Sequence, residues 1–168
     1  LNTLEPMGID LIGLNCATGP TEMSEHLRYL SKNAKIGISV MPNAGLPVLG
    51  ANGASYPLGP EELAIALDGF IDEYGISLVG GCCGTTPQHL SAVVNKVGGK
   101  KIHTRTPNLD PGASSLYQYV PFRQDQTYLA IGERTNANGS RAFRDALLAE
   151  DWEKCVEIAR DQIRDGAH

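Results

Sequence analysis

Short apolar runs, each followed by a segment with apolar residues at helical spacing, organise the N-terminal part of the chain. Ile9 to Asn15, IDLIGLN, lacks polar alternation, which predicts a strand buried on both faces. After Cys16, the stretch TGPTEMSEHLRYLSKN sets Met23, Leu27 and Leu30 on one helical face, with Thr21 and Ser24 as candidate caps. Ile36 to Met41, IGISVM, predicts a second strand. Pro60 to Tyr74 predicts a second helix, whose inner face carries Leu63, Leu67, Phe70, Ile71 and Tyr74. In the third unit ISLVGG runs into Cys82, and PQHLSAVVNKV, with Pro87 suited to a first helical turn, has Leu90, Val93, Val94 and Val97 as its stripe. The loop PNAGLPVLGANGASYPLG between the second strand and second helix is about as long as a functional loop and exceeds the roughly 4 to 6 residues of a median connection.

Successive strand-helix units with non-alternating strands imply an α/β fold, a parallel sheet with helices outside. Three strands cannot close a barrel, so a (β/α)8 fold would have only its C-terminal part here. From Gly98 the pattern changes. GGKKIHTRTPNLDPGASSLYQYVPFRQDQT holds Pro107, Pro111 and Pro121 and little periodicity, as an ordered or semi-ordered linker does. A new strand is expected from YLAIGERTN, then one helix over Arg141 to Asp165 with Trp152, Val156, Ala159 and Ile163 at helical spacing. The expected organisation is therefore a barrel part over 1–99, a linker over 100–127, and the first strand-helix unit of a second domain over 128–168.

Composition narrows the partners. The 168 residues are 42% hydrophobic and 20% charged, ordinary for a chain that buries a core. A net charge of -5 without a Lys/Arg cluster argues against nucleic acid. No apolar run approaches the roughly 20 residues of a membrane span, and no signal-peptide pattern opens the chain, so the expectation is no membrane and a cytoplasmic location. The chain starts without methionine and stops at RDGAH, where a strand would be expected next, and so reads as an excerpt of a longer one.

The cysteines change the picture most. Four are present: Cys16, Cys82, Cys83 and Cys155. In a parallel sheet the carboxyl ends of the strands share one edge, where ligands bind, and Cys16 and the Cys82-Cys83 doublet each end a strand. Neighbouring side chains on a flat strand diverge. Gly80, Gly81 and Gly84 give the backbone freedom to turn both sulfurs toward one ion. Zn²⁺ suits a soft thiolate set, and three protein ligands leave one position for water or substrate, the pattern of catalytic zinc. Such a centre suits attack by a bound substrate thiolate on an electrophilic carbon. Inert buried thiols and a vicinal redox disulfide remain alternatives. His89 is a possible fourth ligand but is expected to face the surface or a loop, while Cys155 is assigned to core packing. GERTNANGSR offers groups for a polar heterocycle, or only a capped turn.

GLNCATGP, MPNAGLP and GGCCGTTPQH, in this order, resemble the homocysteine-binding domain of homocysteine methyltransferases. IGERTNANGS followed by CVEIARDQIRDGAH resembles the start of a pterin-binding domain, and the combination is similar to the cobalamin-dependent methionine synthase family. The resemblance implies two (β/α)8 barrels, with Zn²⁺ held by Cys16, Cys82 and Cys83 and homocysteine sulfur as fourth ligand. It implies methylcobalamin as methyl donor, bound by a domain absent from this chain, and 5-methyltetrahydrofolate as its source. Asn136, Gly139, Ser140 and Arg141, and secondarily Glu133 and Arg134, would contact folate. This stretch alone would be inactive, and a partial barrel would aggregate through unpaired strand edges. Two rivals stay open: a cobalamin-independent homocysteine methyltransferase using betaine or S-methylmethionine, and a non-catalytic zinc-stabilised module.

Overall fold

The computed structural model describes residues 1–51, 53–114 and 118–168. It divides into two compact units, Thr3–Leu109 (with Leu1) and Asp110–His168 (with Asn2). The long loop and the linker expected from the sequence include Asn52 and residues 115–117 respectively, which lie outside the described residues.

In the first unit a three-stranded parallel sheet has the order β1 (Leu11–Asn15), β2 (Gly37–Met41), β5 (Leu78–Val79). Helices α1 (Pro20–Asn33), α2 (Pro60–Tyr74) and α3 (Pro87–Val97) alternate with the strands. The order of elements follows the sequence reading, and the α2 and α3 ranges agree with it. Met23, Leu27 and Leu30 of α1 and Leu63, Leu67, Phe70, Ile71 and Tyr74 of α2 are all buried, packed with Ile38 and Val40 of the central strand. Ser24 Oγ and Tyr74 Oη, 2.7 Å apart, join α1 to α2. Arg105 closes the far end of α1, its guanidinium donating to the carbonyls of Ser31 and Ala34, which a helix C-terminus leaves without partners, and to that of Ile36 just beyond.

Several expectations are corrected. β1 is not buried on both faces: it sits at an edge of the sheet, and its Leu11 is exposed. α1 starts at Pro20 with Gly19 at the cap position, so neither Thr21 nor Ser24 caps it; proline is favoured at the first position because its missing N–H would be unpaired there anyway. In α3 only part of the expected stripe is inward. Val93 is buried, but Leu90 and Val94 lie on the adjoining row and are exposed. The loop after β2 contains an antiparallel pair, β3 (Val48–Gly50) and β4 (Gly53–Ser55).

The second unit departs further. Inside the expected linker, β6 (Gly112–Ser114) pairs antiparallel with β7 (Tyr119–Pro121). No strand forms at YLAIGERTN among the described residues. An extended segment becomes a strand only when a neighbour completes its ladder, and here the backbone bonds go elsewhere. Ala130 accepts from the His168 N–H at 2.8 Å and donates to His168 Nδ1 at 3.0 Å. The single long helix is two, α4 (Arg141–Leu148) and α5 (Trp152–Arg164). Glu150, with φ of 55°, takes the left-handed conformation that ends the first, and the Asp151 carboxylate caps the second by accepting from the Lys154 N–H at 3.0 Å. Cys155 is buried as expected, while Trp152 and Val156 are exposed. No helix of the described residues is long and apolar enough to cross a membrane.

Leu67 is fully buried between the sheet and the helices. Leu67→Ala is expected to destabilise the first unit by about 2–5 kcal/mol, read as a lower midpoint for its unfolding transition in the full-length protein.

Candidate metal centre

The carboxyl ends of β1, β2 and β5 converge through backbone bonds that run past the strands. The Cys16 N–H donates to Met41 O at 3.0 Å, the Cys82 N–H to Pro42 O at 2.9 Å, and the Ala44 N–H to Cys83 O at 2.9 Å. These bonds bring Cys16, Cys82 and Cys83 together, their sulfurs all within 4.8 Å of one another. Cys16 Sγ lies 3.6 Å from Cys83 Sγ, and Cys82 Sγ lies 4.0 Å from Cys83 Sγ. Tetrahedral zinc with bonds near 2.3 Å needs sulfurs about 3.8 Å apart, so the spacing fits one ion without rearrangement of the backbone. None of the three thiols forms a disulfide. Cys16 and Cys82 are half-buried and Cys83 is exposed, which leaves a solvent-side approach.

The backbone under the sulfurs is strained. Cys16 and Ala17 have φ of 60° and 62°, the left-handed region that non-glycine residues avoid. The Thr18 N–H reaches back to Cys16 O at 2.7 Å, closing a tight three-residue turn around Ala17. Such conformations cost about 1–3 kcal/mol each and persist where surrounding structure enforces them. Here the Ala17 N–H is turned onto the Cys16 sulfur. That bond, followed by those from Cys83 and Cys82, holds the Cys16 thiol below its ordinary pKa. Cys83 is pushed up, first by its neighbour Cys16 and against the opposing hydrogen bond from Tyr56. Two clustered thiols cannot lose their protons equally easily without a cation between them.

Asn43, buried within MPNAGLP, ties the three loops together. Its Oδ1 accepts from the Cys83 N–H at 3.1 Å, and its own N–H donates to Thr18 O at 3.0 Å. Tyr56, between β4 and α2, faces Cys83. The hydrogen bond between phenol and sulfur, followed by desolvation, holds the phenol above its ordinary pKa.

A profile of the family described as homocysteine S-methyltransferase matches residues 1–97. The chain belongs to the homocysteine S-methyltransferase family. It is 64% identical over 168 residues to the methionine synthase of Mycobacterium tuberculosis (strain ATCC 25618 / H37Rv), covering all of this chain and 14% of that protein. It is 61% identical over 173 aligned positions to the methionine synthase of Mycobacterium leprae (strain TN), again covering all of this chain and 14% of the relative. The chain thus spans about a seventh of the relatives it matches.

Within this homocysteine S-methyltransferase family chain, His89 lies outside the thiol cluster and faces a loop, not the surface. It is buried, with Nδ1 accepting from the Thr86 N–H at 3.2 Å and Nε2 at 2.9 Å from Leu58 O. Since Nδ1 accepts, Nε2 carries the proton and donates to Leu58. The imidazole completes the N-terminal turn of α3 in the place a Glu or Gln takes in a capping box. Its helical address, three residues after the cap residue Thr86, is the signal that the sequence held for this role.

In the second unit, GERTNANGSR forms a self-bonded turn. Asn136 Nδ2 donates to Glu133 Oε1 at 2.9 Å, and Asn136 Oδ1 accepts from the Asn138 N–H at 3.1 Å. Ser140 caps α4, its Oγ accepting from the Phe143 N–H at 3.3 Å. Gly139 lies against the Glu133 carboxylate, the Arg134 N–H is bonded to Gln162, and exposed Arg141 pairs with Asp145. Gly139 thus neighbours Glu133 in space, Arg141 is paired along its own helix, and Asn136 and Ser140 already have local partners.

His89→Ala strips the Thr86 N–H and Leu58 carbonyl of their partners, a loss of about 1–3 kcal/mol, or roughly 5- to 150-fold in opening equilibrium. Hydrogen–deuterium exchange of the full-length protein should show that loss of protection over the first turn of α3.

Proposed function

We propose that Cys16, Cys82 and Cys83 hold a catalytic Zn²⁺ whose fourth position takes the sulfur of homocysteine, and that the full-length protein methylates this sulfur to give methionine. The observation that carries the reading is the trio of free sulfurs at one sheet edge, at tetrahedral spacing and open on the Cys83 side. Zinc bound there would supply the Lewis acidity that removes the proton from an incoming thiol, ordinarily of pKa about 8.5, while leaving the sulfur nucleophilic. The chain's residues do the rest. The Ala17 N–H and the Tyr56 hydroxyl bond the sulfurs of Cys16 and Cys83, and Asn43 fixes the Cys83 backbone. Together they hold three thiolates toward one point and leave the substrate sulfur the exposed approach.

In this reading the parallel strand-helix units are the C-terminal part of a (β/α)8 barrel, followed by a linker and the start of a second barrel. The methyl group reaches the substrate sulfur from methylcobalamin, carried by another domain of the same full-length chain, and is replenished from 5-methyltetrahydrofolate, which becomes tetrahydrofolate. Folate contacts are assigned to Asn136, Gly139, Ser140 and Arg141, with Glu133 and Arg134 beside them. The support is the similarity over the whole chain to proteins named methionine synthase, which extends through the second unit and not only through the family-matched residues 1–97.

X-ray absorption at the zinc edge of the full-length protein should show three sulfurs at about 2.3 Å without homocysteine and four with it. An unchanged sulfur count would overturn substrate activation by the metal. Cys82→Ala should abolish zinc retention and homocysteine turnover while leaving methyl exchange between folate and cobalamin intact; a variant that still turned over homocysteine would remove Cys82 from the site.

A further inference from the structure

The metal site has a neighbour that ligand counting passes over. Tyr56 lies in the long connection after β2, and its ring is laid on the backbone of Gly84, the residue that follows the cysteine doublet. A Cβ at Gly84 would fall 2.3 Å from both Cβ and Cγ of Tyr56, and Gly84 has φ of 79°, so glycine is required there both for conformation and for room. The stack brings the phenol to the Cys83 side chain, to which it is hydrogen-bonded.

Tyr56 is aimed by rigid neighbours. Pro57 fixes the backbone after it, and its Cδ would lie 3.3 Å from a Cβ at Gly45. Leu58 is then held from both sides: its N–H donates to Ala44 O at 3.0 Å, and its carbonyl accepts from His89 Nε2 at 2.9 Å. Ala44 in turn donates to Cys83 O at 2.9 Å, and His89 belongs to the first turn of the helix that the doublet precedes. The bonds form a closed circuit from Cys83 through Ala44, Leu58 and His89 back to Thr86. Nothing in helix formation requires a histidine to reach across to the Tyr56 segment. The circuit's product is a Tyr56 held against Gly84, beside Cys83.

We propose that Tyr56 is a positioning residue of the metal centre: its hydroxyl donates a hydrogen bond to the Cys83 sulfur, fixes that ligand on the exposed side of the site, and draws charge from it. The inference rests on the zinc reading above and goes beyond it by making the three sulfurs inequivalent. A zinc ion with three thiolates carries net negative charge before substrate binds, and a fourth thiolate adds to it. A donor on Cys83 offsets part of that charge at the ligand nearest the open approach. Partners of this kind outside the ligand set are worth about 10- to 100-fold in metal affinity.

The test is Tyr56→Phe in the full-length protein, which keeps the ring on Gly84 and removes only the donor. Zinc affinity is measured by chelator competition, and Co²⁺ is substituted for zinc to read the thiolate-to-metal charge-transfer band. The expected result is a zinc dissociation constant raised about 10- to 100-fold, with the band shifted to lower energy because the sulfur has lost its donor. The thermal midpoint of the metal-free protein should stay unchanged. An unmoved band would overturn the proposal, whether or not affinity falls, because loss of affinity alone would mean a merely structural role. If the unsubstituted protein takes up neither metal through its cysteines, the zinc reading fails and this inference fails with it. A wild-type site that binds both metals beside an indifferent Tyr56→Phe variant overturns the tyrosine assignment alone.

Discussion

The parallel register of β2 with both its neighbours is the constraint on which the site depends. Asn15 is paired with Met41 and Val40 with Val79, so the three strands end at nearly the same level and their next residues enter one shared space. The side-chain period of a strand is two, so a slip of one residue in either ladder would turn a cysteine to the opposite face. The register is itself held by burial: Ile38 and Val40 of the central strand are wholly enclosed in the core, and a one-residue shift would turn both outward. The hydrophobic core therefore sets the sulfur positions at a distance, through the sheet.

What the register delivers is proximity, and proximity alone would leave side chains of adjacent residues pointing apart. Two departures from regular geometry finish the arrangement. Cys16 and Ala17 both adopt left-handed conformations, and Gly84 does so beside the doublet. The cost of the first pair is offset by bonds that exist only in that conformation, from the Ala17 N–H to the sulfur and from the Thr18 N–H to Cys16 O. Local sequence preference disfavours this backbone, and the surrounding structure enforces it, which is the usual condition of a functional turn.

Much of this was legible in the sequence because it rests on periodicity. The two buried helical stripes of α1 and α2 follow directly from spacing, and the meeting of Cys16 with Cys82 and Cys83 follows from strand ends in a parallel sheet. What spacing left open has a common cause. Of the surface or loop expected for His89 the structure selects the loop, because its two ring nitrogens are satisfied by partners 3 and 31 residues away, and the second of these is invisible to any local pattern. The strand expected at YLAIGERTN failed for the same reason, since its ladder depends on a neighbour and not on its own residues. Tyr56 gave no signal of its own: it lies in the long connection that length alone singles out, and only its contacts with Gly84 and Cys83 distinguish it.

The residues beyond the ligand set also explain why a site with three like charges can be built at the surface of an acidic chain. Three thiolates gathered without an ion would repel one another, and the opposed displacement of the Cys16 and Cys83 thiols expresses that repulsion: one is eased toward ionisation by the Ala17 N–H, and the other is resisted by its neighbour. A divalent cation removes the conflict, because it favours ionisation of all three at once. The Ala17 N–H holds the Cys16 sulfur, and the Asn43 side chain holds the Cys83 backbone, without any ion. An ion entering this cluster would displace thiol protons, and the sulfurs are already gathered, so little further ordering of the chain would be needed. The strained turn, the buried asparagine and the histidine brace thus hold the three sulfurs together at one edge of the sheet, open on the Cys83 side.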